Sequence, residues 1–228
     1  MRFRDRTDAG RQLARRLEQM GLIHPVVLAL PRGGVPVAFE AADTLDAPLD
    51  VFVARKVGAP GHNEYGIGAI AEGGVVVADE YALRTLGISQ ERFEQLVAVE
   101  KREVERRVQQ YRLGRDLVAM RDRDVVLIDD GLATGVTAEA ALRALRQQRP
   151  RRLILAVPAC APDAAARLED VADEVVCLIA PAEFAAVGWW YANFDQTSDD
   201  AVLDLLDRAS ETKSKRYPMA SHRTTPAK

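Results

Sequence analysis

Short, unbroken apolar runs alternate along this chain with segments whose apolar positions fall three and four residues apart. Val26–Leu30, Leu49–Ala54, Val125–Ile128, Leu153–Val157 and Val175–Ile179 are the runs. Continuous apolar stretches of this length, rich in Val, Ile and Leu, predict strands of a parallel sheet covered on both faces. Val35–Leu45, Thr137–Gln147 and Pro162–Val171 carry helical spacing. In the second of these Ala138, Leu142 and Leu145 form one stripe, and the third opens on Pro162, where a missing N–H costs little. Strand–helix–strand alternation predicts an α/β, Rossmann-like doubly wound sheet with right-handed crossovers.

Two stretches break the rhythm. Residues 57–74 (VGAPGHNEYGIGAIAEGG) are rich in glycine and follow a strand directly, so a long flexible loop is expected there. Residues 89–113 then read as one charged helix, with Ser89 as N-cap and Phe93, Leu96, Val97, Val104, Val108 and Tyr111 as its apolar stripe. Its interspersed EKREVERR run reads as a solvated face. After Asp207 the periodicity is lost and the sequence turns basic, which predicts a single domain over residues 1–207 and a disordered tail over 208–228. No internal repeat is present.

Composition adds mainly exclusions. With 228 residues, 48% hydrophobic and 29% charged, the chain can bury a core without disulfide or metal staples. A formal net charge of −3 argues against a general polyanion binder, so no nucleic-acid partner is expected and any phosphate binding must be local. Cys160 and Cys177 stand apart in apolar runs without metal-ligand spacing and read as reduced core residues. No apolar run approaches the ~18 residues that span a bilayer, and the N-terminal MRFRDRTDAGRQ has no signal-peptide core. A cytoplasmic protein without a membrane partner is expected.

The chemistry concentrates in Val125–Thr137, VVLIDDGLATGVT. A buried strand runs into two carboxylates, Asp129 and Asp130, then a turn of small residues, then a helix. Open α/β sheets bind ligands at the carboxyl ends of their strands. The helix N-terminus offers unpaired N–H groups and positive dipole character to a phosphate. Gly131 and Gly135 permit close approach of an anion, and Thr134 and Thr137 add hydroxyl donors. The two acids repel phosphate and want sugar hydroxyls, a metal or a developing positive charge. A phosphorylated sugar satisfies both halves.

This segment resembles the signature that type I phosphoribosyltransferases use to bind 5-phosphoribosyl 1-pyrophosphate: four apolar residues, two acids, two variable residues, then a small residue with T-G-x-T. The resemblance implies a domain with a small hood and a mobile flap. It assigns Gly131, Ala133, Thr134, Gly135, Val136 and Thr137 to the 5-phosphate, and Asp129 and Asp130 to the ribose hydroxyls and, indirectly, to Mg²⁺. It also assigns Leu30–Gly34 to a pyrophosphate loop, with Arg32 as a cation and Gly33 and Gly34 as amide donors. Arg55 and Lys56 would meet the pyrophosphate from the next strand. Residues 57–74 would be the flap, with His62, Asn63 and Glu64 as inward-reaching candidates. The aromatic stretch Pro181–Ser198 would be the hood, in which Phe184, Trp189 or Trp190 stacks on a planar acceptor.

The implied reaction displaces pyrophosphate from ribose C1 by a nitrogen nucleophile, with Asp129, Asp130, Arg32 and Lys56 as the catalytic groups and a homodimer as the usual assembly. Enzymes of the family that act on 6-oxopurines carry Asp just before T-G-x-T; here that position is Ala133, which cannot exchange a proton. The acceptor therefore stays open, with 6-oxopurines disfavoured. The competing reading is a regulator that keeps the phosphoribosyl site as a sensor and performs no chemistry. A synthase of phosphoribosyl pyrophosphate would need an ATP site, and no such motif is visible.

Overall fold

A computed structural model describes residues 2–216. In chain order the elements are α1 (Arg6–Glu18), β1 (Val26–Ala29), α2 (Gly34–Thr44), β2 (Leu49–Val51), β3 (Ala54–Ala59), β4 (His62–Ala71), β5 (Val76–Ala78) and α3 (Glu80–Thr85). There follow α4 (Gln90–Arg112), β6 (Asp124–Ile128), α5 (Val136–Arg146), β7 (Arg152–Ala159), α6 (Pro162–Leu168), β8 (Glu174–Ile179), a 3-10 turn (Val187–Trp190) and α7 (Asp199–Arg216).

Five strands form a parallel sheet in the order β2-β1-β6-β7-β8. Alternation decides which side chain serves which face. Val27, Ala29, Val126 and Ile128 pack with Leu13 and Leu17 of α1 and Val37 and Ala41 of α2. Val26, Leu28, Val125 and Leu127 pack with Ala138, Leu142 and Leu145 of α5. Buried on both faces, these strands need the unbroken apolar runs that mark them in the sequence. From β1 the chain crosses through α2 to β2 on one side, and from β6 it crosses through α5 to β7 on the other. The carboxyl ends of β1 and β6 thus flank a topological switch point, where an open α/β sheet leaves a crevice.

The apolar run Leu49–Ala54 does not stay in one strand: β2 ends at Val51, and β3 starts at Ala54 in a second, antiparallel sheet of order β3-β4-β5. Residues 57–74, expected as an irregular loop, are largely the β3–β4 hairpin with two register shifts around Gly58. Its glycines serve packing as well as turns. A Cβ on Gly68 would lie 2.8 Å from the Phe93 ring of α4 and 2.5 Å from the Val77 carbonyl, so only glycine lets α4 approach. A buried ionic cluster pins the same region. Arg112 Nη2 donates to both Glu72 oxygens at 2.8 Å and to the Val51 carbonyl at 2.8 Å, and its Nε lies 3.5 Å from Asp50.

The long charged helix matches its sequence pattern. The Ser89 hydroxyl accepts from the Arg92 N–H at 3.2 Å, and Phe93, Val104 and Tyr111 are buried. At the other end, α7 continues past Asp207, where order was expected to stop, and runs to Arg216. Val202 and Leu206 anchor it in the core, and the Arg208 guanidinium lies 4.9 Å from the Phe39 ring of α2. The remainder of the expected tail, residues 217–228, lies outside the described residues. Among the described residues, no helix is long and apolar enough to cross a membrane.

The segment before α1 pairs with the stretch that follows β8. The Phe3 N–H donates to the Trp190 carbonyl at 2.8 Å, the Ala192 N–H to the Phe3 carbonyl at 2.8 Å, and the Asn193 N–H to the Arg4 carbonyl at 2.8 Å. Phe3 and Tyr191 are buried together, with Phe184, Val187, Trp190 and Phe194 packed around them.

Candidate functional site

The segment Asp129–Gly135 leaves the end of β6 and is tied down before it reaches α5. The Leu132 N–H donates to the Ala159 carbonyl at 2.9 Å, and the Leu132 carbonyl accepts from the Ala161 N–H at 2.8 Å. Arg167 of α6 donates to the Thr134 carbonyl. Gly135 caps α5 at φ 75°, a left-handed conformation that disfavours any side chain, and no side chain caps this helix. The first-turn N–H groups of α5 therefore have no side-chain acceptor, and a helix end of this kind can receive an anion. Ala133 and Thr134 are exposed at the rim, while Val136 and Thr137 are half-buried.

Asp129 and Asp130 follow directly at the strand end. Asp129 Oδ1 accepts from the Asp130 N–H at 2.8 Å. Burial pushes the Asp129 carboxyl well above the ordinary range, and the neighbouring Asp130 charge adds to the shift. Burial also raises Asp130, opposed by the Arg6 guanidinium. Two adjacent, desolvated carboxylates are costly to keep ionised, and such perturbed groups mark functional sites.

The loop between β1 and α2 meets these acids at close range. A Cβ on Gly34 would lie 2.6 Å from the Ile128 carbonyl and 3.0 Å from Asp129 Cα. On Gly33 it would lie 2.0 Å from Asp130 Oδ2. The reason for glycine at 34 differs from the expected one: its N–H already donates to the Leu30 carbonyl at 3.0 Å, so its use is close approach rather than an offered amide. The Pro31–Arg32 peptide is cis. Arg32 lies near the amino end of α7, with Nη1 3.8 Å from Asp199, whose carboxylate also accepts the Tyr111 hydroxyl.

Arg55 and Lys56 part company. As neighbours on β3 they point to opposite faces. Arg55 Nε binds Glu100 of α4 at 2.7 Å, which turns it away from α5. The Lys56 stem lies over Gly66, 2.9 Å from where its Cβ would be, and the same point is 3.8 Å from Val136 of α5. The structure thus brings Lys56 beside the amino end of α5 and leaves Arg55 on the α4 side. His62 opens β4 and is exposed, and the side chains of Asn63 and Glu64 lie outside the described residues. In the hood Phe184 and Trp190 stack at 6.1 Å, whereas Trp189 is 64% exposed.

Two groups at the site escaped the sequence reading. Arg6 of α1 places Nε 2.8 Å and Nη2 2.7 Å from Asp130 Oδ2. The Tyr191 hydroxyl donates to the Asp130 carbonyl, and burial raises its pKa. Tyr191 lies in the aromatic stretch singled out as the hood. Arg6 sits in a charged N-terminal segment with no local signal, and its contact spans 124 residues.

Fold and site together are those of an open α/β domain that presents two carboxylates and an uncapped helix N-terminus at its switch point. The chain belongs to the phosphoribosyl transferase domain family, whose pattern matches residues 6–192. It is 49% identical over 207 residues to Rv0571c of Mycobacterium tuberculosis (strain ATCC 25618 / H37Rv), provisionally named a phosphoribosyl transferase. That match covers 91% of this chain and 47% of the relative, so the chain spans about half the length of the curated relatives it matches. It is likewise similar to the crystal structure of TT1426 from Thermus thermophilus, with 48% identity, a TM-score of 0.76 and coverage of 90% and 98% of the two chains.

Proposed function

We propose that this domain transfers the 5-phosphoribosyl group of phosphoribosyl pyrophosphate to a nitrogen nucleophile, releasing pyrophosphate. One observation carries the reading: Asp129 and Asp130 end the central strand β6, and within a few residues the chain enters α5 through a left-handed Gly135 with no side-chain cap. That arrangement puts a helix amino end able to receive a phosphate and a pair of hydroxyl-accepting carboxylates on the same short stretch of chain. In this reading the α5 N–H groups, with Thr134 and Thr137, hold the 5-phosphate. Asp129 and Asp130 orient the ribose hydroxyls and favour the positive charge that develops on the ring as the bond to pyrophosphate breaks. Arg32 and Lys56 face the leaving group, with the Gly33 backbone beside them, and Arg55 stands behind as the partner of Glu100.

The residues fit Mg²⁺. The available protein donors are two adjacent carboxylates whose burial and mutual repulsion a cation would relieve. Among the described residues no cluster of three or more ligating side chains could cage a metal. A pair without a cage suits an ion held mostly by substrate oxygens and water. When bound, Mg²⁺ would neutralise pyrophosphate charge and so make it a better leaving group.

The test is thermal. Phosphoribosyl pyrophosphate with Mg²⁺ is expected to raise the melting temperature of the wild-type protein. Asp129→Asn with Asp130→Asn is expected to abolish that rise. A wild-type protein that does not respond would overturn the reading. For acceptors, labelled phosphoribosyl pyrophosphate is incubated with purines, pyrimidines and simple amines and scored for pyrophosphate release. Binding without release across the panel would support a sensor in place of a transferase.

A further inference from the structure

The stretch that follows β8 reaches back to the end of β6 and grips one peptide there, Asp130–Gly131. The Tyr191 hydroxyl donates to the Asp130 carbonyl at 2.5 Å. Val187 fills the space in which a Gly131 side chain would stand: a Cβ there would lie 2.4 Å from Val187 Cγ1 and 2.9 Å from Cγ2. Glycine at 131 was expected to let an anion come close, but the group that approaches it here is a valine. Tyr191 is itself held firmly. It is buried, its ring lies 5.5 Å from that of Phe3 and 4.9 Å from that of Phe194, and the main chain on either side of it is bonded to Phe3. The same stretch meets Asp130 again through Arg6, which also donates to the Asp195 carbonyl at 2.6 Å and lies 3.9 Å from the Phe194 ring centre. One residue further on, Leu132 is fixed to Ala159 and Ala161.

We infer that Tyr191 is a positioning residue for the phosphoribosyl-binding segment: its hydroxyl fixes the plane of the Asp130–Gly131 peptide, and so the face that this segment turns to the sugar phosphate. This rests on the function proposed above. A peptide that ends on glycine is among the least restrained in a chain, because no Cβ limits its rotation. The Tyr191 hydroxyl and the Val187 side chain supply from outside the restraint that Gly131 lacks. The consequence follows from planarity. The peptide is trans, so its N–H points opposite to its carbonyl. With the carbonyl aimed at Tyr191, the Gly131 N–H is aimed away from it. Gly131 is buried, and among the described residues no group of the chain accepts that N–H. Buried amides without a partner are rare, and one standing a few residues before an uncapped helix start suits a ligand oxygen. The aromatic stretch thereby serves the donor half of the reaction as well as the acceptor half for which it was singled out.

The experiment uses the wild type, Tyr191→Phe and Phe3→Leu. Calorimetry measures affinity for ribose 5-phosphate and for phosphoribosyl pyrophosphate with Mg²⁺, and mass spectrometry measures amide hydrogen exchange in the peptide that spans Asp129–Gly135. Tyr191→Phe removes one oxygen and keeps the ring packing, so it should fold and melt close to the wild type. It is expected to weaken both ligands by the same factor, about three- to tenfold, the order lost with one hydrogen bond. Exchange in the Asp129–Gly135 peptide should speed up while that of β1 and β7 stays unchanged. Phe3→Leu loosens the packing around Tyr191 but leaves its hydroxyl, so it should melt lower and keep the wild-type affinities. Wild-type affinity in Tyr191→Phe, a loss confined to phosphoribosyl pyrophosphate, or exchange that rises across the whole domain would overturn the inference and leave the functional reading intact. An equal loss of affinity in Phe3→Leu would do the same, since general loosening would then explain the effect. A wild type that binds neither ligand overturns both.

Discussion

Gly34→Ala and Gly33→Ala differ by one residue and should fail in different ways. A Cβ on Gly34 would sit 2.6 Å from the Ile128 carbonyl and 3.0 Å from Asp129 Cα, both backbone atoms of the central strand. Neither can rotate aside, so α2 must lift from the sheet or β6 must shift. Overpacking of this kind costs about 1–3 kcal/mol, and in a chain this size each kcal/mol moves the melting temperature by roughly 2–4 °C. Gly34→Ala should therefore melt about 2–12 °C below the wild type, towards the upper end because the obstacle is main chain on both sides. On Gly33 the obstacle is the Asp130 carboxylate, with Oδ2 at 2.0 Å and Cγ at 2.6 Å. That side chain can rotate away, but only by leaving Arg6. Gly33→Ala should keep more of its stability and lose most of the stabilisation by phosphoribosyl pyrophosphate. Differential scanning fluorimetry with and without ligand reads both quantities. A Gly34→Ala protein that melts with the wild type, or a Gly33→Ala protein with an undiminished ligand response, would refute the packing argument for the corresponding residue.

Arg112 is the cation of the buried cluster with Glu72 and Asp50, so Arg112→Met should cost about 3–5 kcal/mol in urea denaturation by leaving a carboxylate buried and unpaired. Adding Glu72→Gln should recover part of that loss, and a double variant weaker than Arg112→Met would contradict the cluster's role. Asp129 has a folded-state pKa above its unfolded value because of burial, so its ionisation costs stability as pH rises. Asp129→Asn should accordingly melt higher than the wild type at neutral pH. The gap should close as pH falls towards the ordinary carboxylate range, and a gap that widens on acidification would rule this out.

How much of this was legible in the sequence depends on range. The parallel strands announced themselves because both faces are buried, and Ser89 marked the start of α4 by its own side chain. The strand–turn–helix of Val125–Thr137 was legible because strand, acids and helix start are contiguous. The β3–β4 hairpin was not, since glycine at 66 and 68 looks like flexibility until Phe93 and Lys56 are seen to fill the space. Ala54 hid a change of sheet inside one apolar run. Arg6 was invisible for a simpler reason: a charged helix near the chain start has the same local pattern whether its arginine faces water or a carboxylate 124 residues away. Gly34 was expected to offer its amide, but that amide is already engaged with the Leu30 carbonyl, a helix-start bond that the local sequence does not reveal.

The clasp of Phe3 and Arg4 on Trp190–Asn193 also bears on how the domain acquires its site. Asp130 leaves the ribosome well before Tyr191 and Phe194, while Arg6 waits from the beginning for a partner that needs the hood to orient it. The contacts of Asp130 with Arg6 and Tyr191 therefore form late, since bringing such distant segments together must precede any contact that rewards it. Any ligand that engages Asp130 in its Arg6-bound form is selective for chains in which the α1 segment has already met residues 190–195, and so its binding energy falls on that long-range contact as well as on the strand end.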